Sequence, residues 1–192
     1  MLEKIKNNKY MIFLIAGIVA VALAIYGFST SLNFYYNYID NEYVTNSYKI
    51  QLLIDVIKNA LIIIAIIPFI VIGRNRIMIK SALIISIVVY YFADTFDIIY
   101  DFIDGKDYSS LFLAALNVII VIFAIISLTS KNYLFVTLVL LLIDAAFNLL
   151  SVFNGSVMGF AQLILCLLLI SGIYFHNLES GFNTNNDTYY YN

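Results

Sequence analysis

The sequence predicts an all-α integral membrane protein built as a bundle of six transmembrane helices, and three observations carry that reading. The chain is 63% hydrophobic and 11% charged, against about 45–50% apolar and about 25% charged in ordinary soluble domains. Its mean hydropathy is +0.95. The apolar residues come in blocks, 10–30, 51–73, 77–99, 109–130, 133–153 and 157–175. About 20 such residues, rising about 1.5 Å each, cross the roughly 30 Å of bilayer hydrocarbon. The lipid bilayer is therefore the first partner. A formal charge of −2 with no basic patch gives no reason to expect nucleic acid. The single cysteine, Cys166, lies inside an apolar block, so one chain can form neither a disulfide framework nor a cysteine-based metal site.

The first block follows Lys4, Lys6 and Lys9, as a signal peptide would. It is longer than the ~7–15 residues of a signal core and lacks a small-residue cleavage site, so it is read as a retained helix. Ala16, Ala20 and Ala24 recur every fourth residue, with Gly17 and Gly27 nearby. That small face suits close helix packing, either within the chain or as a docking face for a second copy or for transporter subunits. The spans belong to one membrane domain, 1–176. The tail, 177–192, is polar with few charges and is predicted to be disordered.

Orientation follows from the basic residues. Lys4, Lys6, Lys9, Arg74, Arg76, Lys80 and Lys131 fall on one side of six spans, and Lys49 and Lys106 on the other. The positive-inside rule then places both termini in the cytoplasm of a cell (cytoplasmic) membrane. Every acid within a span lies toward the outer side.

The richest stretch is 92–104, FADTFDIIYDFID. At about 100° per residue, Asp94, Asp97, Asp101 and Asp104 form one acidic stripe on the outer end of the third span. Such a stripe is either simply solvated, or attracts a divalent cation weakly, with Asp97, Asp101 and Asp104 the metal candidates. In the second span, Asp55 and Lys58 stand one turn apart and are expected to form a structural ion pair. In the fifth span, Asp144 lies 11 residues from Tyr133, about 16 Å deep at helical rise. A carboxylate at that depth should face the bundle and be protonated or partnered. Asn148 shares its face, and Asn117, Gln162 and Asn59 sit at similar depth in other spans. Asp144, Asp94, Asp97, Asp55, Asn148, Asn117 and Gln162 are therefore the ligand or cation candidates, lining a polar vestibule that opens outward.

Enzyme signatures do not occur. There is no paired-histidine motif, nucleophile elbow or phosphate loop, and the glycine-flanked aspartate of membrane aspartyl proteases is missing. A non-enzymatic protein without a cofactor is expected. Internal similarity points to three pseudo-repeated helical hairpins: SLNFYYNYIDN aligns on TFDIIYDFIDG, placing Asn33 on Asp97, and AFNLLSVF forms a weaker third copy. On that reading the first and third helices overrun the membrane, and Asn33 and Asp97 both face the bundle.

The phrases LLLIDAAFNLLSVF (140–153) and VVYYFADTFDIIYDF (88–102) resemble the repeated phrases of six-span acid-resistance membrane proteins of the HdeD type. The chain departs from them where Ala93, Thr95 and Ala145 replace glycines, and Pro68 is the one proline. The resemblance implies a six-helix membrane protein tied to stress tolerance, with no catalytic mechanism. Six short spans with an outward cavity also resemble the substrate-capture subunits of energy-coupling-factor vitamin transporters, which makes a solute or ion transporter component the alternative.

Overall fold

A computed structural model describes residues 2–105 and 108–186. In hydrocarbon the backbone must satisfy its own hydrogen bonds, so apolar blocks of this length become helices. They are α1 (Leu2–Ile39), α2 (Asn46–Asn75), α3 (Lys80–Gly105), α4 (Tyr108–Ser127), α5 (Leu134–Phe153) and α6 (Val157–Asn186), with one 3₁₀ turn, Lys131–Tyr133, before α5. Each of the six is long and apolar enough to cross a membrane, and the protein is a multi-pass helical membrane bundle. As expected, α1 and α3 run beyond their apolar blocks, to Ile39 and Gly105.

Local chemistry sets the ends of α2. The Thr45 side chain accepts from the Tyr48 backbone N–H at its start. Arg76 adopts φ 56° at its end, in the left-handed region, and its N–H bonds the Ile72 carbonyl at 2.9 Å. Short connections make successive helices antiparallel. Lys9, Arg74, Arg76, Lys80 and Lys131 thus gather at the end of the bundle where α1 begins and α6 ends, and Lys49 lies toward the other.

The helices pack in chain order, and α6 closes the ring on α1 while also touching α2, α3 and α4. Ala161, Leu165, Cys166, Leu169 and Ile173 make α6 the inner helix, all fully buried. Backbones come close where side chains are absent. A Cβ on Gly73 would stand 2.6 Å from the Leu14 backbone nitrogen, and one on Gly172 would stand 2.7 Å from the Leu83 side chain.

Three expectations need correction. The small face of α1 is spent inside the chain: Ala20 and Ala24 are fully buried, Ala16 packs on the core, and Gly17 and Gly27 face Ile70 and Met158. It is not a docking face. The stretch from 177 is not a separate tail, because α6 continues to Asn186. Its polar residues are used as ties: Glu179 Oε1 accepts from Lys9 at 2.5 Å and from the Tyr10 hydroxyl at 2.7 Å, and Asn177 donates to the Ser127 carbonyl at 3.0 Å. Residues 187–192 lie outside the described residues. Finally, Asn33 is exposed, unlike Asp97. The α1 residue that answers the α2 amide is Ser31, whose Oγ accepts from Asn59 at 2.7 Å.

Candidate functional site

Polar residues in an apolar helix turn inward when the alternative is lipid, and here five helices turn them toward the same space. On α3, Tyr90, Asp94 and Ile98 share a face at four-residue spacing; α4 adds Asn117, α5 adds Asp144, Asn148 and Ser151, α6 adds Gln162, and α2 adds Lys58. They line a cavity of about 230 Å³, walled elsewhere by Leu113, Leu116, Ile120 and Phe147. Tyr90, Ile120 and Asp144 mark its mid-bundle floor. Ile98, Leu113 and Ser151 lie nearer the end away from the termini.

Two linked networks hold this lining. The first joins α2, α3 and α4. Lys58 Nζ stands 2.5 Å from Asp97 Oδ2 and 3.2 Å from Asp94 Oδ1, and Asn117 Nδ2 donates to Asp94 Oδ2 at 2.8 Å. Here the expected Asp55–Lys58 pair gives way to pairs between helices. All three charged groups at this seam are at most about one-fifth exposed, and two carboxylates of α3 outweigh the one on Lys58's own helix. Asp55 is half-buried and has no hydrogen bond or ion pair among the described residues.

The second network surrounds Asp144. Its Oδ2 accepts from the Tyr91 hydroxyl at 2.7 Å and from the Cys166 thiol at 3.1 Å. Asn148 Nδ2 reaches the Asp144 backbone carbonyl at 3.1 Å and the Tyr90 hydroxyl at 3.1 Å. The deep carboxylate is thereby partnered by neutral donors, not by a cation, which is how a group at this depth limits its desolvation.

Gln162 differs from its neighbours. It is 9% exposed, lines the cavity, and has no hydrogen bond among the described residues. A primary amide can donate twice and accept twice, and none of that capacity is taken up by the described residues; the amide atoms are open to the cavity, since the fully buried side-chain polar atom without a partner among the described residues is Ser86 Oγ. Its functional capacity faces the cavity.

The rest of the acidic stripe goes elsewhere. Asp104 accepts from the Ser47 hydroxyl, Asp101 is exposed, and Asp97 is engaged with Lys58. Among the described residues no three acidic, histidine or cysteine side chains are placed to hold a metal ion. The candidates therefore divide: Asp94, Asp144, Asn117, Asn148 and Gln162 meet at one cavity, and Asp55, Asp97, Asp101 and Asp104 do not line it.

Sequence reasoning missed Tyr90, Tyr91 and Cys166. Within an apolar block they read as core, yet Tyr90 and Tyr91 lie four and three residues before Asp94, on the turn that faces α5 and α6. That spacing was the available signal. No family model, curated protein or solved structure matches the chain.

Proposed function

We propose that this is a non-enzymatic membrane protein whose polar cavity binds a small organic cation, a protonated amine, taken up from the outer face with both termini in the cytoplasm. The observation that carries this is the cavity lining: two carboxylates and three primary amides, one amide with no partner, in an otherwise apolar bundle. Two carboxylates of the lining, Asp94 and Asp144, face the single ammonium of Lys58, so the lining favours a positive guest. The amide and carboxylate oxygens suit the N–H donors of an ammonium group. A volume of about 230 Å³ is large for a bare ion and lies below the roughly 300 Å³ where drug-sized pockets begin. A stress-related role, as in the acid-resistance proteins, fits uptake or sensing of such a cation. The capture-subunit alternative retains the cavity in its favour but loses the small-residue docking face.

Equilibrium dialysis of radiolabelled methylammonium against protein in phosphatidylcholine nanodiscs tests the reading. Saturable binding approaching one per chain is expected; uptake no greater than by empty nanodiscs would overturn it.

A further inference from the structure

A second cavity, of about 240 Å³, lies against the first. It is lined by Val88, Tyr91, Phe92, Thr95, Asn117, Val118, Val121 and Ile122, so it too is formed between α3 and α4. On both helices its lining is rotated by about 100° from the face that lines the polar cavity. Val88, Phe92, Val118 and Ile122 are among the exposed large apolar residues, which places this groove on the lipid side of the α3–α4 seam. It sits in the middle of the α3 span, 8 to 15 residues from Lys80, or about 12–22 Å along the helix. At that depth the surrounding medium is acyl chain.

Only a thin polar wall separates the groove from the cavity. Asn117 lines both spaces, and its amide bonds Asp94 at 2.8 Å across the seam. Tyr91 lines the groove while its hydroxyl bonds Asp144 on the cavity side at 2.7 Å. One space accepts an ammonium group and the other accepts hydrocarbon.

We infer that the ligand is a single-chain amphiphile with an ammonium head, seated with its head between Asp94, Asp144 and Gln162 and its alkyl chain in the α3–α4 groove. The Asp94–Asn117 hydrogen bond is then a lateral latch, opened when the head takes Asn117's place on Asp94. This rests on the amine-binding reading above and adds the chain and the lateral route.

The probe is n-decylammonium, used to displace radiolabelled methylammonium from nanodiscs, with free aqueous concentrations corrected by empty nanodiscs. Decylammonium should displace the label at a free concentration at least tenfold below that of unlabelled methylammonium. Val118→Trp, which fills the groove from a half-exposed position, should abolish that gain and leave methylammonium affinity within twofold; Ile122→Trp should do the same. If methylammonium binds but decylammonium is no better, the amphiphile inference fails and the cavity reading stands. A chain-length gain that persists in both tryptophan variants also overturns it. Absence of methylammonium binding removes the cavity reading and the inference together.

Discussion

Tyr91 on α3 donates its hydroxyl to the Asp144 carboxylate on α5 at 2.7 Å, the shortest hydrogen bond to that group. It joins two helices that are not neighbours in the chain, across the mid-bundle floor of the cavity. Interhelical hydrogen bonds in membranes contribute about 0.6 kcal/mol on average and up to about 1.7 kcal/mol. Tyr91→Phe should destabilise the detergent-solubilised protein by about 1.7 kcal/mol, near the top of that range, and so lower its melting temperature, because Asp144 Oδ2 keeps only the Cys166 thiol as donor. An unchanged melting curve would show that the bond contributes nothing.

Lys58 is the counter-charge for two acids at once. Lys58→Met should cost about 3–5 kcal/mol, since it leaves Asp94 and Asp97 side by side without a cation. Adding Asp97→Asn should recover part of the loss, giving non-additive melting data. Strict additivity would contradict the seam as described.

Gln162 separates a ligand role from a structural one. Because its amide has no partner among the described residues, Gln162→Leu should hold or raise thermal stability and weaken methylammonium binding several-fold. A drop in stability with affinity intact would make Gln162 a packing residue instead.

The fold was legible in the sequence wherever lipid allows one solution. Apolar blocks of membrane length must be helices, and Asp94, Asn117, Asp144, Asn148 and Gln162 had to turn inward because lipid is worse. Partner choice was not legible in the same way. Asp55 and Lys58 satisfied the helical spacing rule, but that rule knows only one helix, and the charges of α3 arrive from outside it. Tyr90, Tyr91 and Cys166 were hidden because their apolar bodies match their surroundings; only their positions beside Asp94 and Asp144 in space give them a polar task. Likewise the residues after Phe175 look like a tail by composition, while Asn177 and Glu179 in fact tie α6 to α4 and α1.

Orientation can be read by cysteine labelling in intact cells, because the native Cys166 is fully buried and should stay silent. Cysteines at Asn41 and Gly155 should react with an impermeant maleimide, and those at Asn75 and Asn132 should react only after permeabilisation. Labelling of Asn75→Cys from outside would invert the topology.

The central claim is that the half-buried carboxylate of Asp144 serves a guest and not only the fold. Asp144→Asn keeps the side-chain shape and an oxygen for the Tyr91 hydroxyl, so the helix contact survives and the negative charge does not. Methylammonium binding to wild type and Asp144→Asn in nanodiscs, measured beside their melting temperatures, is the direct test. The account predicts melting within a few degrees of wild type and at least a tenfold loss of affinity; equal affinity in the two proteins would contradict it.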